Sequence, residues 1–521
     1  MDHGRKACDD GPGSSLQVPT GMRASPVSAP LTIAAVEPSR AEPEAPPRFA
    51  RGVIAITFAK LWFVIAGYGI FAVLTRTLGP RDFGLYAVVT SIVSVVNNAL
   101  ISVTVRAVAR FTARDERSAG SVLRSAMLLL MALGMSIFVA LEILASPIAA
   151  WLHDPDLAAP LRVVALVVPA YALYAVNVGF LNGLRRFQIQ AVLDSAYSTL
   201  RAGLQIGAVA LGLGVMGAVS GFAAAAALIV GASTVVVRRA AHPKGPFQTR
   251  EMIHFAAWFA GLTLAANLML AADLWIVKWL SPPAIANQQV GLYRAALTIS
   301  QLLYQLLIPL ALVIFPHLSH LGHAPDPERA RNLVRDALRY LALSVLPGAA
   351  LISVMGGEIL GLLYDRAYVP AGAWLDALGP AYAAWTIAYV LAVALSGAGY
   401  VRSGLGVALV GLSGQAIAAA LLCARFGPHG AAWGDGVGMT LALAVGLPLA
   451  IRRFGDIIPW ASVARGAALA VLLALVASRF PASGWLVPAK GLALAVAAVL
   501  LLIASGELKL PGRMRGIPET A

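Results

Sequence analysis

From residue 53 onward the chain is a succession of apolar stretches, each closed by a short polar or basic link. A helix of about twenty apolar residues reaches across the hydrocarbon core of a bilayer. Such runs occur at 53–75, 84–108, 121–144, 160–182, 188–212, 216–237, 252–280, 289–315, 333–355, 374–397, 403–424, 429–451, 459–479 and 487–505. The pattern predicts an all-α polytopic membrane protein with about 14 transmembrane helices. Every link is short, so no sizeable water-soluble domain is expected on either side.

Composition sharpens this picture. Of the 521 residues, 59% are hydrophobic and 12% charged, against roughly 25% charged in an ordinary soluble domain. That excludes a soluble enzyme, a disordered scaffold and a secreted disulfide protein. The net charge of +14 is read against the membrane and not as a nucleic-acid footprint, because cytoplasmic loops collect Lys and Arg. One set of links carries Arg110, Arg114 and Arg117, then Arg185 and Arg186, Arg238, Arg239 and Lys244, Arg329, Arg331 and Arg335, and Arg452 and Arg453. The alternate set is poorer, so the rich set is cytoplasmic and an even span count puts both termini there. Cys8 and Cys423 are the two cysteines, far apart and outside any metal-ligand spacing. No metal and no cofactor is expected. Residues 1–50, rich in Pro, Ser, Ala and Glu, read as a disordered cytoplasmic tail or an over-long start.

The sequence repeats itself. Gly84-Leu85-Tyr86 returns as Gly291-Leu292-Tyr293, IAAWLHD at 148–154 as ILGLLYD at 359–365, PAYA at 169–172 as PAYA at 380–383, and GVMGAVSG at 214–221 as GPHGAAWG at 427–434. The offsets are 207, 211, 211 and 213 residues, in the same order. This suits a transporter of two homologous halves. The expected organisation is an N-lobe at 51–240, a C-lobe at 250–453, and two appended helices with a cytoplasmic tail at 454–521. An even number of spans per half makes the lobes related by a pseudo-twofold along the membrane normal.

The stretch LTRTLGPRDFGLY at 74–86, the run GLYRAALTISQLL at 291–303 and the GPHGAAWG hinge resemble the Wzx-type polysaccharide and oligosaccharide flippases. These belong to the multidrug/oligosaccharidyl-lipid/polysaccharide (MOP) exporter superfamily. The likeness covers roughly 50–455. It implies two six-helix lobes around a central cavity, alternating access, and transfer of an undecaprenyl-diphosphate-linked sugar unit across the bacterial inner membrane. Membrane lipids, a polysaccharide polymerase and glycosyltransferases are the implied partners. In the sister group of peptidoglycan-precursor flippases a carboxylate after span 1 and an arginine opening span 8 matter; by position these match Asp82 and Arg294. That group's arginine pair in span 2 has no clear counterpart here, Arg106 being the nearest cation.

Polar residues inside spans are costly and therefore informative. Residues three or four apart share a helix face. Such faces carry Ser91, Ser94, Asn98, Ser102 and Arg106 in span 2, Asp194, Ser198, Arg201 and Gln205 in span 5, and Arg294, Thr298, Gln301 and Gln305 in span 8. Lys60 in span 1 and Asn267, Asp273 and Lys278 in span 7 complete the set. The expected cavity residues are Lys60, Asn98, Arg106, Arg201, Gln205, Asn267, Arg294 and Gln301. Arginine suits a diphosphate because its planar fork donates to paired oxygens. The competing reading of the hydroxyls is helix–helix glue, and that of Asp194 and Arg201 is mutual pairing across two turns. Lys60, Arg106 and Arg294 sit near span ends, where snorkelling is the alternative; Lys278 is placed at the interface. Asp194 and Asp273 are candidates for coupling to an ion or proton. Asp82 is either a gate residue or a cap on span 2.

Two other functions remain open: a drug or metabolite exporter of the same superfamily, which would show a more acidic and aromatic cavity, and the peptidoglycan-precursor flippase. A membrane-integral glycosyltransferase would need paired carboxylates on large loops, and Asp154, Asp156 and Asp365 form no clear pair.

Overall fold

The computed structural model describes residues 46–114, 117–238, 249–321 and 327–507. The expected tails fall outside these residues up to position 45 and from position 508, whereas positions 46–50, expected in the N-terminal tail, are already helical as the start of the first helix. Everything described is helix or short link: α1 (Pro46–Arg114), α2 (Ala119–Trp151), α3 (Ala158–Ala165), α4 (Val167–Gly183), α5 (Phe187–Ala210), α6 (Gly214–Arg238), α7 (Thr249–Met269), α8 (Ala272–Leu280), α9 (Pro283–Leu321), α10 (Pro327–Leu363), α11 (Leu375–Gly397), α12 (Val401–Phe426), α13 (Pro428–Phe454), α14 (Trp460–Arg479) and α15 (Leu486–Ala504). Each of the fourteen apolar runs lies within this helical framework. Among the described residues ten helices are long and apolar enough to cross a membrane, or eleven if the bent pair α7–α8 is one span.

Two features of the sequence explain where helices stop. At Gly79 the backbone takes φ 71°, which an L side chain resists. Pro80 follows, its fixed φ and missing N–H suited to a helix start. α1 is therefore two arms meeting at Gly79, one for each of the first two apolar runs. The same Gly-Pro pair recurs at Gly427 (φ 61°) and Pro428, separating α12 from α13. α7 and α8 break by 42° near Leu270 and Ala271.

The internal repeat has structural counterparts. Asp154 and Asp365, the last residues of the matched IAAWLHD and ILGLLYD, each cap a 3-10 segment by accepting from a following backbone N–H, Asp156 N and Arg366 N respectively. The two GxxGAxxG runs open α6 and α13. Their glycines let α6 lie against Leu204 and Ala208 of α5, and α13 against Ala419 and Leu422 of α12. A side chain at these places would displace the neighbouring helix. Tyr86 and Tyr293, the matched tyrosines, are both buried.

Helices α2 to α6 pack on one another, as do α7 to α13; α14 packs on α10 and α15 on α14. One continuous apolar core runs through both halves, with a smaller cluster of Met355, Leu469, Leu473 and Leu494 seating α14 and α15 on α10.

Candidate functional site

A cavity of about 800 Å³ lies where α1 and α5 of the first half meet α7, α9 and α11 of the second. The hydrophobic pattern that builds these helices also leaves their polar stripes facing one another. Asn98, Arg106, Arg201, Asn267, Arg294 and Gln301 all line it, as do Ser91, Ser94, Ser102 and Gln305. Among the described lining residues three are cationic and none is acidic.

Arg201 and Arg294 each lie over an aromatic ring. The Arg201 guanidinium sits 4.3 Å from the Phe222 ring centroid, beside the hydroxyls of Tyr86, Tyr171 and Tyr197. Its Nε has no hydrogen-bond partner among the described residues. Arg294 lies 5.4 Å over Phe71. Such contacts hold a guanidinium in place while leaving N–H donors for a ligand. Tyr304 and Tyr389 line the cavity with their rings edge-to-face at 5.2 Å. Gln301 donates to the Tyr382 hydroxyl (3.2 Å) and the Leu270 carbonyl (3.4 Å), and Asn267 donates to the Thr263 carbonyl at 2.8 Å.

Five of the residues named from the sequence are placed elsewhere. Gln205 is fully buried behind the cavity wall, donating to the Tyr86 hydroxyl and the Ala218 carbonyl, both at 3.1 Å. It therefore supports a lining residue and does not line the space itself. Lys60 is exposed and pairs with Asp194 at 3.6 Å. Asp194 also accepts from the Tyr174 hydroxyl (2.6 Å) and Gln190 (3.3 Å), so its partners are not Arg201. Asp82 lies exposed in the first turns after Pro80, away from the cavity. Asp273 is buried within the second half.

There the Asp273 carboxyl neighbours that of Asp435 on α13 and the Tyr293 hydroxyl. Asp435 accepts from Gln415 (2.8 Å) and Tyr293 (3.4 Å). Neither oxygen of Asp273 meets hydrogen-bond geometry with a described partner. Two carboxyls side by side in one buried place offer their oxygens to a shared proton or cation. Asp435 was not singled out from the sequence; the available signal was an acid inside the apolar run 429–451.

A second missed constellation joins the halves. Lys278, expected at the interface, is instead 2% exposed. It donates to Asp154 and to Asn287, both at 2.6 Å, and Asn287 donates to Asp154 at 2.7 Å. Beside this triad Gly84 and Gly291 pass so closely that a Cβ on Gly84 would strike the Asn287 carbonyl, and one on Gly291 the Pro80 carbonyl. Arg76 donates to the Tyr364 and Leu362 carbonyls at 2.5 and 2.7 Å. Apart from the bond between Lys278 and Asn287, these bonds cross from the first half to the second, all at one end of the seam.

The family model "Polysaccharide biosynthesis protein" matches residues 73–372. No curated protein sequence matches the chain. Among solved structures, a lipid II flippase MurJ in an inward closed conformation superposes with a TM-score of 0.72 at 12% identity, over 88% of this chain and 99% of that one. An inward-facing multidrug resistance MATE family transporter of the MOP superfamily gives 0.59 at 16% identity, over 78% and 98%. A MOP superfamily transporter from Pyrococcus furiosus, described by the reverse polarity of its binding pocket, gives 0.61 at 17%, over 78% and 96%. With two six-run halves, a shared cavity and this match across more than half its length, the chain belongs to the polysaccharide biosynthesis protein family and has the fold of the MOP exporter superfamily.

Proposed function

We propose that the protein flips a lipid-linked oligosaccharide, carried on undecaprenyl diphosphate, across the bacterial inner membrane for surface polysaccharide synthesis. The observation that carries this reading is the cavity: it is shared by both halves and lined by Arg106, Arg201 and Arg294 with no described acid. A diphosphate has clustered anionic oxygens that arginine forks match. Asn98, Asn267, Gln301 and Gln305 supply donors and acceptors for sugar hydroxyls. An organic cation would find aromatic rings in this lining, such as Phe71, Tyr304 and Tyr389, but three arginines and no described acid, and that charge disfavours the drug-exporter alternative. A family of polysaccharide biosynthesis proteins and a lipid II flippase among the fold relatives fit a lipid-linked anionic cargo.

Transport proceeds by alternating access between lobes at 51–240 and 250–453. In the closed-outward arrangement Arg201 from the first lobe and Arg294 from the second face one space, so a headgroup held by both is released as the lobes separate. Asp194, with Lys60, and the Asp273–Asp435 pair are the places for a coupling proton or cation.

The test uses a strain that depends on this protein for its surface polysaccharide. Arg201→Ala and Arg294→Ala are expected to abolish surface polysaccharide with membrane insertion intact. Wild-type levels in both variants overturn the reading. Survival of that strain on loss of the protein, together with continued cell-wall growth, separates it from the peptidoglycan-precursor alternative.

A further inference from the structure

The link after α15, residues 505–507, folds back into a hollow remote from the transport cavity. α15 finishes at Ala504, and Gly506, with φ 73°, turns the backbone toward α10 and α14. This delivers Glu507 into a cradle of donors. One carboxylate oxygen accepts from Arg339 Nε at 2.6 Å; the other accepts from Arg465 Nη1 at 2.5 Å and Ser462 Oγ at 2.9 Å. Arg339 Nη2 also donates to the Glu507 backbone carbonyl at 2.8 Å. The Glu507 side chain is 3% exposed, whereas Arg339 and Arg465 remain 33% and 51% exposed. Burial pushes the Glu507 carboxyl up, but the bonds from Arg465, Ser462 and Arg339 outweigh it and hold it below the usual range. The group is thus an anion at neutral pH, tethered in an anion's place.

The cradle opens into a hollow of about 400 Å³, lined further by Arg335, Asp336 and Trp460, so that three arginines face two carboxylates there. Arg335 stands one turn before Arg339, on the same face of α10. Trp460 is 68% exposed at the start of α14. Positive loops put these helix ends at the cytoplasmic face, where tryptophan sits at headgroup level. A carboxylate and a phosphate monoanion use the same planar fork of arginine. Basic pockets between helices at that face take anionic headgroups. A simple clamp on the chain end would need neither the third arginine nor the open hollow.

We propose that this hollow binds the phosphate of an anionic phospholipid from the cytoplasmic leaflet, with Glu507 as its built-in competitor. When a lipid phosphate takes the Arg339–Arg465–Ser462 donors, Glu507 leaves and the end of α15 is freed from α10.

The experiment measures lipid retention by native mass spectrometry of the full chain, purified with phosphatidylglycerol or phosphatidylcholine. Wild type is expected to retain phosphatidylglycerol in preference. Glu507→Gln removes the competing charge and is expected to raise that preference several-fold. The double variant Arg339→Ala/Arg465→Ala is expected to lose it. Because those arginines also hold the chain end, Arg335→Gln serves as the second variant; it leaves every bond to Glu507 in place and is expected to lower the preference. Equal retention of both lipids by wild type and Glu507→Gln overturns the proposal. So does occupancy by millimolar inorganic phosphate that leaves phosphatidylglycerol binding unchanged, which would make the site one for a soluble anion.

Discussion

The two ends of the seam between the halves are built from different chemistry. At one end, Lys278, Asp154 and Asn287 form a triad whose charged side chains are 1% and 9% exposed. Arg76 is clamped on two carbonyls, Trp151 stacks on Trp279 with centroids 5.8 Å apart, and Gly84 crosses Gly291 at backbone distance. At the opposite end the pair between Arg114 and Glu251 is nearly as short, 2.8 Å against 2.6 Å, yet its side chains are 51% and 56% exposed. Length alone would rank the two pairs together. Burial separates them: an exposed pair contributes about 0–1 kcal/mol, while removing one partner of a buried pair leaves an uncompensated charge at a cost of roughly 3–5 kcal/mol. The molecule is therefore latched on one side and only tied on the other. Separating the halves at the first end rehydrates a buried lysine and aspartate; parting Arg114 from Glu251 at the other rehydrates side chains that are already half exposed.

Four experiments break or sharpen this contrast. The largest effect is expected from Lys278→Met, which strands the Asp154 carboxylate and destabilises the closed-outward state by roughly 3–5 kcal/mol. Its readout is labelling of a cysteine placed at Ser94, in a Cys423→Ala background, by a membrane-impermeant thiol reagent added outside. Labelling should rise, and the swap Lys278→Asp/Asp154→Lys should reverse it; unchanged labelling would show that the triad is no latch. Next is Gly84→Ala, where the new methyl meets the Asn287 carbonyl. Overpacking of this kind costs about 1–3 kcal/mol, read as a lower thermal midpoint in detergent together with greater outside labelling. Arg76→Ala removes two bonds to carbonyls. A loss of about 1.5–3 kcal/mol for bonds to a charged group is expected in the same thermal assay, smaller than for Lys278→Met because Arg76 leaves no buried charge behind. Smallest is Arg114→Ala, for which a double-mutant cycle with Glu251→Ala should return a coupling of less than about 1 kcal/mol that fades with added salt. A larger, salt-insensitive value would erase the distinction between the two ends.

The same contrast marks what the sequence discloses. Helices follow from hydropathy alone, because a lipid-embedded segment must bond its own backbone, and the Gly-Pro pairs at 79–80 and 427–428 announce their own breaks. The cavity is also legible: the stripes of Asn98 and Arg106, of Arg201, and of Arg294 and Gln301 reach it because a polar face in lipid has to turn inward. Pairings are another matter. Lys278 lies 124 positions from Asp154, and no periodicity connects a residue at a helix end with one in a link. Lys278 reads as an interfacial residue for that reason, and Asp154 as one more loop acid. Gln205 shares its helix face with Arg201 by spacing, but one turn carries it past the cavity rim and under Tyr86. Asp435, inside a glycine-rich stretch, becomes meaningful only once α8 brings Asp273 beside it.

The crossing of Gly84 and Gly291 has a consequence of its own. These two glycines occupy the same place in the two copies of the Gly-Leu-Tyr motif, and behind the Asn287 and Pro80 carbonyls each finds the other's backbone nitrogen as its next neighbour. A residue that touches its own duplicate is the hallmark of an isologous contact, the kind a C2 axis imposes on a homodimer. Here it is held within a single polypeptide, and so either partner is free to change without its twin. That freedom is what lets Asp154 and Asp365, at the same repeat position, diverge: both cap a turn, but Asp154 is also drawn into an ion pair with Lys278.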